Sequence, residues 1–305
     1  MTRLSIRNIG HLFVEAYRGL IANDPLRLAG ATAFFTLFAL PPILIILIQV
    51  LGLLFDPEII RVQLFHTLSA ILATETVENI ISILKSMRNL TKNWMLTGVG
   101  FIFLLFVATT LFKVIRTSVN ELWRVRIAVK RNMMGGIQNR FRAIVIILLA
   151  GLLFIGALLA EAIQALLGKY IRVISPDLAF YFNGLFTYLL SIFIVTVWFA
   201  VLFHHLPDGR PTWRIALAGG LVTSILFNLG KLALRWLLTF GNIQTIYGAS
   251  GSIVLLLLFV FYSSLIFYYG AAFTKCLAIA RGKPILPHSY AVSYEISTPD
   301  AKINH

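Results

Sequence analysis

Acid and cysteine are what this chain has least of. Of its 305 residues only 12 are Asp or Glu, against 26 Lys or Arg, and Cys276 is the one cysteine. A single thiol excludes an intrachain disulfide. Charged residues make up 12% of the chain, about half the share found in an ordinary soluble domain of about 25%. Metal-ligand spacing is missing as well: the histidines at 11, 66, 204, 205, 288 and 305 form no zinc pattern. His204 and His205 are adjacent on a helix end and are expected to point in different directions. There is no nucleophile elbow, P-loop or dinucleotide fingerprint, and Gly135-Gly136 reads as a turn. No catalytic residue, metal or cofactor is therefore assigned, and no enzymatic activity is expected. The first 27 residues lack a continuous apolar core, which argues against a cleavable signal peptide.

What the chain does have is apolar length. It is 59% hydrophobic, with several runs near the roughly 20 residues that cross a bilayer core. The fold class expected is all-α, a polytopic membrane protein with six transmembrane helices at about 28–54, 94–122, 140–167, 178–205, 212–238 and 250–280. Asn23-Asp24-Pro25 is a helix-start signal, with Asp as the cap and Pro in the first turn. Pro41 and Pro42 remove two backbone donors inside span 1, which predicts a kink and makes them a candidate hinge. Pro207-Asp208-Gly209-Arg210-Pro211 predicts a tight turn between spans 4 and 5.

Loop cations set the expected orientation. One side would hold sixteen of them, including Arg124, Arg126, Lys130, Arg131, Arg140 and Arg142; the other would hold six, Arg61, Lys85, Arg88, Lys92, Lys169 and Arg172. That bias places both termini in the cytoplasm. The basic loop 124–142 is explained by topology and anionic headgroups without specific nucleic acid. Residues 1–27 predict an interfacial helix, with Leu12, Phe13, Ala16, Tyr17, Leu20 and Ile21 opposite Arg7 and Arg18. The outer segment 56–92 is amphipathic, with stripes through Ile60, Leu64 and Leu68 and through Val77, Ile80 and Leu84. Residues 281–305 form a polar cytoplasmic tail with Pro284 and Pro287, expected to be loose.

Polar side chains inside the spans are the functional signal. Ser224, Asn228, Lys231 and Arg235 follow 4-3-4 spacing and share one face of span 5. Thr109, Lys113, Arg116 and Asn120 form a second row on span 2. Glu161, on span 3, is the expected internal counter-charge for Lys231 or Arg235. Cations outnumber acids in the spans, so an anionic ligand held by Lys231, Arg235, Asn228, Lys113 and Arg116 would offset the excess. Snorkelling to the headgroups is the alternative for each cation, and the better one for Arg116.

Four stretches resemble the YihY / virulence factor BrkB family of bacterial inner-membrane proteins: "LAGATAFFTLFALPPILIIL" (28–47), "LFKVIRTSVNELWRV" (111–125), "HHLPDGRPTWRIALAGGLVTSILFNLGKLAL" (204–234) and "YGASGSIVLLLLFVFYSSLIFYYGAAF" (247–273). The resemblance implies six spans with both ends inside and an envelope role, with transport or lipid movement the usual suggestion. The family's last span often reads Gly-Ala-Glu, whereas this chain has Gly270-Ala271-Ala272. The expected function is binding or translocation of an anionic amphiphile, a phospholipid or lipid-linked envelope precursor. The implied partners are anionic membrane lipids, with an envelope protein or a second copy of the chain as further partners. A scaffold docking a partner through 56–92 is the alternative. A membrane-bound nuclease, the activity in the family's older ribonuclease BN label, ranks below it.

Overall fold

The computed structural model describes residues 6–51, 62, 64, 65, 69, 77–82, 94–128, 152, 176–240 and 251–295. Within them the chain is mostly helical. The helices are α1 (Ile6–Ile21), α2 (Pro25–Leu51), α3 (Trp94–Trp123), α4 (Pro176–His205), α5 (Trp213–Phe240) and α6 (Gly251–Ala280). Tyr188–His205, Trp213–Ala233 and Ile253–Ala280 are long and apolar enough to cross a membrane. Expected span 3, with Glu161, lies outside the described residues apart from Leu152, as does most of 56–92.

The helix ends follow the local chemistry. Asn23 Nδ2 donates to the Gly19 carbonyl at 2.7 Å, closing α1, and Asp24 turns the chain at φ 50°. Leu28 N then bonds the Asp24 carbonyl, so α2 begins at Pro25 as its start signal predicts. α2 is helical through Pro41 and Pro42 to Leu51. At the end of α6, Gly282 adopts φ 62°, while Lys283 N bonds Ala278 O and Gly282 N bonds Ile279 O, both at 2.9 Å. This glycine cap satisfies the last carbonyls and reverses the chain.

The reversed chain is not loose, contrary to the sequence expectation for its first part. Four short strands lie at one end of the bundle: β1 (Val125–Ile127), β2 (Gly209–Arg210), β3 (Leu286–Pro287) and β4 (Ala291–Ser293). β4 pairs antiparallel with β1, and β3 pairs antiparallel with β2. Residues 282–295 thus form a strap across the ends of α3 and the α4–α5 turn.

The main core lies at this strand-bearing end. Leu12, Ala16 and Leu20 of α1 pack with Leu28, Val119, Trp123, Phe203, Ile215, Tyr268 and the buried Ala272. Trp123 Nε1 donates to the Ala271 carbonyl at 2.8 Å, and Lys275 Nζ donates to the Leu122 carbonyl at 2.8 Å. A smaller cluster joins Leu64, Val77 and Ile80 from the 56–92 segment to Leu44 of α2 and Leu256 of α6.

Small residues set the close approach of α4, α5 and α6. A Cβ on Gly220 would lie 2.5 Å from Thr196 O and 2.9 Å from Ala200 N, both backbone atoms of α4. Between α5 and α6 the fit is reciprocal: the space above Gly219 is filled by Thr274, and the space above Gly270 by Thr223. Each threonine hydroxyl is satisfied one turn back in its own helix, at 2.7 Å from the same glycine carbonyls.

Candidate functional site

α5 is turned inside out relative to a soluble helix. Leu217, Leu221, Ile225, Leu229 and Leu232 are exposed along one face, while Thr223, Ser224 and Asn228 are buried on another. Acyl chains are the solvent that suits such a distribution.

The polar face of α5 lies against α4. Ser224 Oγ donates to the Ile192 carbonyl at 2.9 Å. Asn228 Nδ2 donates to the Ser224 carbonyl at 2.9 Å, and Ser191 Oγ donates to Asn228 Oδ1 at 3.3 Å. Lys231 Nζ reaches Ser191 Oγ at 3.5 Å. These contacts form a seam that ends in an ammonium group. One turn deeper, the buried Thr196 hydroxyl has no hydrogen-bond partner among the described residues. Ser224 already donates to the Ile192 carbonyl, the acceptor a helical threonine at 196 would use.

The direction of Lys231 decides its character. It stands roughly 27 Å along the helix from Trp213 at 1.5 Å per residue, and α5 continues beyond it to Phe240. Its ammonium lies 5.6 Å from the ring centroid of Phe227, one turn back along α5. No carboxylate is within ion-pair distance of it among the described residues.

Arg116 belongs to a different site. The sequence groups it with Lys231 around one ligand, or leaves it to snorkel. Its guanidinium is instead bound to Asp208: Nε donates to Oδ2 at 2.9 Å and Nη2 to Oδ1. Asp208 is fully buried. Asn120 completes the cradle, donating to Oδ2 at 2.6 Å and accepting from Asp208 N at 2.8 Å. His288 N donates to the Asp208 carbonyl at 2.9 Å, and Tyr290 donates to the carboxylate. Burial alone would raise the Asp208 carboxyl; the Arg116 guanidinium outweighs it and holds the group below its ordinary value. This network ties α3, the α4–α5 turn and the strap together, so the Arg116 charge is compensated within the protein.

The remaining expected residues fall as follows. Lys113 is exposed on α3 and shares no described hydrogen bond or ion pair with the α5 row. Arg235 continues the α5 helix; its side chain, like Glu161, lies outside the described set. Glu121 pairs with Arg27 at 2.7 Å. His204 and His205 do not diverge: both rings pack on Trp213, with centroids at 4.2 and 5.6 Å. His204 Nδ1 bonds the Pro211 carbonyl at 2.9 Å and its Nε2 accepts from Arg210 Nε at 3.3 Å, which defines the neutral Nδ1–H tautomer.

A family model described as "Virulence factor BrkB" matches residues 16–290, most of the chain. The chain belongs to the BrkB family. Among curated relatives of this BrkB-family chain is a UPF0761 membrane protein of Saccharophagus degradans, 27% identical over 270 residues, covering 88% of this chain and 60% of the relative. A UPF0761 membrane protein of Pseudomonas paraeruginosa is 28% identical over 262 residues, covering 83% and 59%. One from Mannheimia succiniciproducens is 26% identical over 289 residues, covering 92% and 94%. The chain thus spans about three fifths of the length of the first two relatives and nearly all of the third. No solved structure matches. The BrkB-family chain is a membrane protein, in accord with the exposed apolar faces of its helices.

Proposed function

We propose that this BrkB-family protein binds or translocates an anionic amphiphile, a phospholipid or lipid-linked envelope precursor, without altering it chemically. In this reading it sits in the bacterial inner membrane with six spans and both termini cytoplasmic. The observation that carries the reading is Lys231. A half-buried ammonium, folded back over Phe227 toward a serine and an asparagine, is poised to hold an anion that the described residues do not supply. Against a scaffold docking a partner through 56–92 stands the burial of Leu64, Val77 and Ile80, the members of its apolar stripes among the described residues that pack with Leu44 and Leu256.

Native mass spectrometry of the detergent-extracted protein tests the reading. Wild type should retain an anionic amphiphile. Lys231→Arg should retain it and Lys231→Leu should lose it, while all three insert and fold, because leucine makes α5 more apolar. Equal retention by wild type and the leucine variant would overturn the reading.

A further inference from the structure

The seam has a shape as well as a charge, and the shape names the ligand class more narrowly. At its inner end it is shut. Gly220 meets the α4 backbone at Thr196 and Ala200 with no room for even a methyl group, so nothing can pass between α4 and α5 toward the strand-bearing end. At the Lys231 end it is flanked by apolar side chains directed outward: Leu229 is 52% exposed, Leu232 56% and Phe193 65%. A ligand at Lys231 therefore enters from the side, with its polar part in the seam and its apolar part outside the protein.

The polar groups restrict that part further. Lys231 offers one positive charge, the Ser191 hydroxyl already bonds the Asn228 amide, which itself donates to the Ser224 carbonyl, and no carboxylate joins them among the described residues. That single charge matches a phosphodiester, which carries one negative charge. Ser191 Oγ and the Phe227 ring already face the Lys231 ammonium, so a zwitterionic head would bring a second cation against the first with no carboxylate to offset it among the described residues.

We infer that the α4–α5 seam takes, laterally from the bilayer, the phosphodiester of a net-anionic glycerophospholipid, whose acyl chains stay in the membrane against Leu229, Leu232 and Phe193. This rests on the anion reading of Lys231 given above.

Thermal unfolding of the purified full chain in a neutral detergent tests it, with three probes: dihexanoyl phosphatidylglycerol, dihexanoyl phosphatidylcholine and sn-glycerol 3-phosphate. The phosphatidylglycerol should raise Tm in a saturable manner, in wild type and Lys231→Arg but not in Lys231→Leu. The phosphatidylcholine should require at least about tenfold more for the same shift, which corresponds to 1.4 kcal/mol. Glycerol phosphate should give no shift at the same concentration. Leu232→Ser, on the rim, should weaken the phosphatidylglycerol response. Equal shifts from both lipids would overturn the assigned lipid class. An equal shift from glycerol phosphate, abolished by Lys231→Leu, would overturn lateral lipid binding while sparing the anion site. A phosphatidylglycerol shift unchanged in Lys231→Leu would overturn the inference and the anion reading with it.

Discussion

Arg116 and Asp208 meet through both carboxylate oxygens across 92 residues of sequence, and the carboxylate has no exposed surface. The pair is a structural rivet whose aspartate also accepts from Asn120, His288 and Tyr290 and donates its backbone N–H to Asn120. Breaking it from one side leaves a buried charge unmatched. Asp208→Asn should cost about 3–5 kcal/mol, and Arg116→Met combined with Asp208→Asn should recover part of it. Thermal unfolding of the three variants in one detergent measures this. A single-variant loss within about 0.5 kcal/mol, the scale of an ordinary surface change, would contradict the burial of the pair.

The same pair predicts an acid limit. Asp208 titrates below its ordinary value of 3.8 in the folded protein. A carboxyl lowered on folding stabilises fully above its unfolded value, and that contribution is lost as pH falls through the folded one. Between pH 8 and 5 the pair should therefore add no slope to Tm. Below about pH 4, wild type should lose stability more steeply than Asp208→Asn. Parallel curves for the two proteins would contradict the assignment.

Two glycines should respond in opposite directions to alanine. Gly220→Ala forces its methyl against the α4 backbone and should cost about 1–3 kcal/mol. Gly30, within α2, has open space around its missing Cβ, so Gly30→Ala should be neutral or stabilise by up to about 1 kcal/mol. Denaturation of the two variants side by side decides the matter.

Orientation can be read by labelling. In a Cys276→Ser background, single cysteines at the exposed positions 126 and 283 should react only from the cytoplasmic side, and one at position 75 only from outside. Modification of 126 and 283 on opposite faces would break both the six-span topology and the pairing of the strap with β1.

Glu161 is testable although it falls outside the described residues. If it is the counter-charge of Lys231, Glu161→Gln should cost about 1–3 kcal/mol, and adding Lys231→Leu should restore part of it. Strict additivity in the thermal cycle would show that the two side chains do not meet.

Legibility followed the range of the signal. The start of α2 at Pro25 and the α4–α5 turn were readable because Asp24-Pro25 and Pro207-Asp208-Gly209 act within a few residues. The shared polar face of Ser224, Asn228 and Lys231 on α5 was readable from their spacing. Its partner Ser191 was not, because a lone serine in an apolar run carries no mark of the helix it will meet. Asp208 was read as a turn residue; that it also neutralises Arg116 depends on a contact no local pattern encodes. The strap escaped for another reason. Strands of two or three residues are too short to show a period-2 alternation, and the prolines at 284 and 287 pointed to a loose tail.

The double exchange of threonine and glycine between α5 and α6 limits how this protein can move. A displacement of one residue along either axis, about 1.5 Å, would drive Thr223 and Thr274 out of their recesses together. With α4 pinned at Gly220, the three helices act as one rigid plate. α2 joins the same assembly through the hydroxyls of Thr32 and Tyr268, 2.5 Å apart, so sliding of any one of these helices along its axis disturbs its neighbours.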